Sequence, residues 1–131
     1  MARMDFDPSK LRFYMYGAHW CPVCRRMRER IMGAYGGDAL VYYELEGNER
    51  NSALFSELHR MVGIGGIPTT AVFYNGKIIA VVEGAFEVKK VQEMVEEATR
   101  EEGVLLFLDA GTYLVDEGDA ERLGELFLVE E

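Results

Sequence analysis

Apolar residues recur along the chain with changing period, and each change marks an element. Residues 10–17, Lys-Leu-Arg-Phe-Tyr-Met-Tyr-Gly, are rich in aromatic side chains and end on a glycine, which predicts a buried strand. Val23, Met27, Ile31 and Ala34 then follow at helical spacing until Gly36-Gly37 stops the run. Pro22 suits the first turn of that helix, where a missing N–H costs nothing. A second strand is expected over 39–45 and a second helix over 51–62, with the charged loop Glu46-Gly47-Asn48-Glu49-Arg50 between them. That helix carries Ala53, Leu54, Leu58, Met61 and Val62 as its apolar stripe. Residues 69–74 and 77–83 are β-rich runs joined by Asn75-Gly76, a dipeptide that accepts the positive φ angles of a tight hairpin turn. Val88, Val91, Met94, Val95 and Ala98 share one face of an amphipathic helix over 87–101.

From Gly103 onward the pattern is less regular. Residues 104–108 form an apolar run, Asp109-Ala110-Gly111 reads as a turn, 113–115 as a short apolar run, and 119–131 as a possible helix. No repeat or low-complexity linker separates this tail. The chain therefore reads as a single domain over 1–131, with its core at about 10–101 and a C-terminal extension at about 103–131. The apolar residues of the extension need cover, either on the chain's own surface or in a second subunit, where they would form a homodimer contact.

Composition narrows the function classes. The longest apolar runs fall well short of the roughly 18 residues of a membrane span. The start, Met1-Ala2-Arg3-Met4-Asp5-Phe6-Asp7-Pro8, lacks an apolar signal core, so a cytoplasmic protein with no membrane partner is expected. A net charge of −9 argues against a nucleic-acid surface, which needs clustered Lys and Arg. Arg25, Arg26, Arg28 and Arg30 are the local exception, either raising the potential near Cys21 or forming a solvated helix face. Gln occurs only at Gln92 amid abundant Glu, a bias resembling heat-adapted proteins, whose cytosol tolerates disulfides.

The chain's two cysteines, Cys21 and Cys24, stand three positions apart, a spacing suited to redox chemistry or to half of a zinc site. With Cys21 at the helix N-cap, its sulfur points outward over the unpaired N–H groups of the first turn, where negative charge is favoured. Cys21 is thus the candidate attacking thiolate and Cys24, one turn in, the resolving thiol. Trp20 offers either a flat wall beside the sulfur or a core side chain, and His19 either a proton shuttle or plain polar surface. Only His19 and His59 are available to complete a zinc site, and His19 lies too close to Cys21 for a familiar ligand spacing. A zinc-binding structural module remains a third reading.

Trp20-Cys21-Pro22-Val23-Cys24 after a strand, then Gly63-Ile64-Gly65-Gly66-Ile67-Pro68-Thr69, the Asn75-Gly76 hairpin and Gly84-Ala85, together resemble the thioredoxin superfamily over residues 10–101. The resemblance implies a thioredoxin-like α/β fold: a central mixed four-stranded sheet flanked by helices, followed by the C-terminal extension. It further implies a cis Ile67-Pro68 bond and a substrate-docking role for Ile67, Pro68 and Thr69, beside Trp20 and Pro22. Three departures stand out. The tetrapeptide has the Cys-Pro-x-Cys form similar to glutaredoxins rather than Cys-Gly-Pro-Cys. Met15 stands where thioredoxins keep a buried Asp that assists proton transfer at the resolving thiol. Gly84-Ala85-Phe86-Glu87 replaces the glutathione-binding Gly-Gly-x-Asp segment of glutaredoxins, which favours protein substrates.

The expected activity is thiol-disulfide exchange with protein disulfides at Cys21 and Cys24. The resemblance implies no cofactor beyond the Cys21–Cys24 disulfide itself, no metal, and an upstream disulfide reductase as partner. The alternative is a redox-linked client-binding or chaperone-like module that uses the Pro68 groove and the apolar tail.

Overall fold

The structure, a computed structural model, describes residues 6–108 and 111–128. Strand β1 (Leu11–Gly17) leads to helix α1 (Pro22–Tyr35), strand β2 (Leu40–Glu44) and helix α2 (Glu49–Val62). The hairpin β3 (Thr69–Tyr74) and β4 (Lys77–Glu83) follows, then helix α3 (Val91–Glu101). Asn75 and Gly76 turn the hairpin at φ 55° and 81°, the left-handed pair that this dipeptide accepts. Asn48 caps α2 by accepting the Asn51 N–H at 2.9 Å, and Gly63 ends it in a left-handed conformation.

The tail departs from the four-stranded expectation. Residues Gly103–Leu108 form β5 and Gly111–Asp116 form β6, so the sheet has six strands in the order β2-β1-β3-β4-β5-β6. Strand β5 lies parallel to β4, reached through the α3 crossover, and β6 returns antiparallel to β5. Of the turn expected at 109–111, Asp109 and Ala110 lie outside the described residues, and Gly111 opens β6. Helix α4 (Glu117–Glu125) covers only part of the helix expected over 119–131, of which 129–131 lie outside the described residues.

Each face of the sheet is covered by two helices. On one, Met27 and Ile31 of α1 and Val91, Val95 and Ala98 of α3 bury Phe13, Met15, Val72 and Ala80. On the other, Leu58 of α2 and Leu123 and Phe127 from the α4 region bury Tyr16, Phe73, Val81 and Leu106. The hydroxyls of Tyr16 and Tyr43 donate to the Leu126 and Phe127 carbonyls, tying the end of the described chain to β1 and β2. Most of the tail's apolar surface is thus covered by the chain itself, while Tyr113, Leu114 and Leu128 remain exposed. Among the described residues no helix is long and apolar enough to cross a membrane.

Candidate active site

Strand β1 ends at Gly17, and a short loop delivers Cys21 to the N-cap of α1. Its extended φ of −89° turns the chain into the helix, Pro22 occupies the first turn, and Cys21 Sγ accepts the Cys24 N–H at 3.2 Å. Both thiols are free. Cys24 is fully buried, whereas Cys21 keeps 6% of its surface, so Cys21 lies at the rim of a covered site rather than pointing openly outward. Burial first, and then the hydrogen bond with Cys21, push the Cys24 thiol up to about 12.

Cover for the pair comes from Val23 and from Ile67, which packs against Cys21, Cys24 and Ala18. The Ile67–Pro68 peptide is cis. Pro68 and Thr69 are buried, the Thr69 hydroxyl donates to the Gly66 carbonyl at 2.6 Å, and the Gly84 N–H donates to the Pro68 carbonyl at 2.7 Å. Glu83, at the end of β4, accepts the Gly65 and Gly66 N–H groups at 2.9 and 2.7 Å. One carboxylate from the neighbouring strand therefore holds the loop that covers the thiols.

Trp20 is not a core side chain: it is 58% exposed, and its indole N–H donates to Glu46 Oε1 at 3.1 Å. Nor do the arginines of α1 gather at the sulfur. Arg25 turns back to donate to the His19 carbonyl at 2.7 Å, and Arg28 lies over the Tyr42 ring with its guanidinium carbon 3.9 Å from the centroid. Arg26 and Arg30 are exposed.

Glu44, at the end of β2, is the polar node behind the site. It accepts the Tyr42 hydroxyl at 2.9 Å on Oε1, and on Oε2 it takes the His19 N–H at 3.0 Å and the Glu46 N–H at 3.2 Å. The His19 ring Nδ1 also lies 3.2 Å from Oε2. Burial alone would raise the Glu44 carboxyl, but the His19 and Tyr42 hydrogen bonds outweigh it and hold the group below the ordinary value. Tyr42, Glu44, Glu46 and Glu83 escape a reading of motifs. The signal available was topological, since β1 and β2 run parallel and deliver their carboxyl ends to the edge where α1 begins.

Among the described residues no group of three or more His, Cys, Asp or Glu side chains is placed to hold a metal. His59 is engaged with the Ile64 carbonyl at 2.9 Å.

A mixed sheet between two helical layers, with a CxxC pair at the start of the helix after β1 and a cis-proline loop against it, defines a thioredoxin-like α/β protein. The thioredoxin-like domain family matches residues 8–99, and the chain belongs to that family. No curated protein matches the chain. Similar solved structures include a mutant thioredoxin from Halobacterium salinarum NRC-1, at 18% identity over 70% of this chain and 76% of that one, with a TM-score of 0.48. The thioredoxin-2 of the malaria parasite protein secretion machinery is 17% identical over 67% of this chain and 82% of its own, with a TM-score of 0.47. Fasciola hepatica thioredoxin is 22% identical over 69% and 82%, with a TM-score of 0.46. Family membership and the adjacent thiols together support thiol-disulfide oxidoreductase chemistry in general.

Proposed function

We propose that the protein exchanges disulfides with protein substrates, with Cys21 as nucleophile and Cys24 as resolving thiol. The observation that carries this reading is the asymmetry of the pair: Cys21 caps α1 at the rim of the site and keeps 6% of its surface, while Cys24 is fully buried and its thiol is pushed up to about 12. A substrate sulfur meets Cys21 first. The Cys21 thiolate attacks it in line, one substrate sulfur departs with the electron pair of the old bond, and a mixed disulfide remains. Cys24 then loses its proton and attacks Cys21 Sγ, releasing the second substrate sulfur and leaving the Cys21–Cys24 disulfide. A disulfide reductase restores the dithiol.

Ile67, Pro68 and Thr69 form the docking edge in this reading, with Trp20 and Pro22 beside them. Thr69 is on β3 next to the site, and Ile67 already touches the cysteines, so a substrate chain laid along this loop brings its sulfur to Cys21. The Cys21→Ser variant should lose turnover of a protein disulfide, and Cys24→Ser should accumulate mixed disulfides, seen as reductant-sensitive adducts by mass. Normal turnover by Cys21→Ser would exclude the proposal.

A further inference from the structure

Strand β6 ends the sheet, and among the described residues β5 is its only neighbouring strand. The N–H and C=O groups of alternate β6 residues therefore face away from the sheet. Such edges are ordinarily blunted by lysine, proline or a bulge. Gly111-Thr112-Tyr113-Leu114-Val115-Asp116 contains neither lysine nor proline, and its register with β5 runs unbroken from end to end. Its large side chains are also bare: Tyr113 is 49% and Leu114 50% exposed. They lie on opposite faces, because the register sets Tyr113 beside Leu106 on the α2 side and Leu114 beside Leu105 on the α1 side. Both helical layers thus stop short of this strand. The opposite edge, β2, carries no exposed large apolar residue.

We infer that the β6 edge is covered by the β6 of a second copy of this chain, added antiparallel so that two six-stranded sheets become one. The self-complementarity of the strand carries the inference. Directly opposed residues of an antiparallel pair share a face. A two-fold axis perpendicular to the sheet reverses the strand and keeps its faces, so one residue must sit on the axis opposite itself. With Leu114 on the axis, Leu114 meets its own copy, Tyr113 meets Val115 on both sides of it, and Thr112 meets Asp116. Apolar opposes apolar, an aromatic ring opposes a β-branched side chain, and a hydroxyl opposes a carboxylate. Asp116, the one charged residue of the strand, never opposes itself. Shifting the axis to Tyr113 sets Thr112 against Leu114, and shifting it to Val115 sets Leu114 against Asp116. Leu114 is the centre that the sequence of β6 matches.

The pairing leaves the thiol sites open. Strands β3, β4 and β5 stand between β1, which leads to Cys21, and the seam. The two-fold axis reverses every strand, so the two Cys21 sites lie at opposite ends of the joined sheet. The charge of −9 on each copy opposes association, and added salt strengthens it by screening that repulsion.

Sedimentation velocity of the reduced full-length chain over a concentration series should show a species of twice 14.9 kDa that gains population with salt. Leu114→Lys sets like charges against each other on the axis and removes its apolar centre, so it should weaken self-association about 100-fold. Cross-linking tests the register without relying on that variant. In a chain carrying Cys21→Ser and Cys24→Ser, Leu114→Cys should join to its own copy when the thiol oxidant diamide is added. Tyr113→Cys and Val115→Cys should each stay unlinked alone and join when the two are mixed. A monomer at every concentration overturns the proposal, and so does a dimer that Leu114→Lys leaves intact. Cross-linking of Tyr113→Cys alone as complete as that of Leu114→Cys overturns it too, because the axis would then lie elsewhere. No readout here uses turnover, so failure of the oxidoreductase reading would leave these outcomes unchanged.

Discussion

Glu83 shows a single side chain shaping a site from a distance. The bare backbone of Gly66 lets the Glu83 carboxylate come close: a Cβ there would lie 3.2 Å from its Oε2. The register pairs Glu83 with Thr69, which places the carboxylate under the turn that carries Ile67 to the cysteines. Glu83→Ala would leave the Gly65 and Gly66 N–H groups without this acceptor, and the loss of such bonds costs about 1–3 kcal/mol. Urea denaturation should show that loss, with a raised KM for a protein disulfide because the docking loop loosens. Unchanged stability together with unchanged KM would remove Glu83 from this role. The residues that carry chemistry in their own type, Cys21 and Cys24, are visible without a structure. A glutamate among many is not, because only its neighbours give it a task.

The elements divide in the same way. The β3–β4 hairpin is legible because Asn75-Gly76 is a local signal, and α1 because Pro22 and Gly36 bracket an apolar period. The tail is not, since an unbroken apolar run such as 104–108 fits a buried strand or a buried helix equally. Its strand character comes from pairing with β4 across the α3 crossover, a contact no local window contains. Just beyond α4, Phe127 anchors the described end of the chain: it is fully buried and its ring centroid stands 5.5 Å from that of Tyr16. Phe127→Ala should therefore destabilise the protein by about 3–5 kcal/mol, measured by chemical denaturation. Turnover of a protein disulfide should survive at temperatures where the variant stays folded, because Phe127 packs on the sheet face opposite α1. A loss within about 0.5 kcal/mol, the range of ordinary surface substitutions, would mean that this end of the chain is not part of the core.

For the molecule as a whole, the buried thiol and phenols set how stability responds to pH. Cys24 moves from an ordinary 9.0 to about 12 in the fold, so the reduced native state keeps a proton that the unfolded chain sheds above about 9. Stability of the reduced protein should accordingly be level below pH 9 from this group and fall as pH rises from there towards 12. Tyr16 and Tyr42, raised chiefly by burial, act in the same direction above their ordinary 10.0. Oxidation to the Cys21–Cys24 disulfide removes the thiol contribution, so the gap in melting temperature between oxidised and reduced protein should widen between pH 9 and 10. A constant gap in that interval would contradict it. At the acid end, Glu44 is held low by its hydrogen bonds, so its stabilisation is present above 4.5 and fades as pH falls through its lowered value. What the sequence by itself determined was the order of strand, CxxC, helix and hairpin, because it rests on residue type and local spacing, while the redox class of chemistry and the cis-proline loop as the site's neighbour came from the resemblance of both motifs to the thioredoxin superfamily. What only the tertiary structure decided was the six-stranded sheet, the near-complete burial of Cys21, the linkage of Tyr42, Glu44 and His19, and the Glu83 carboxylate that holds the Gly65-Gly66 loop. These depend on which strands become neighbours and in what register, a choice made by burying the whole sheet between its two helical layers.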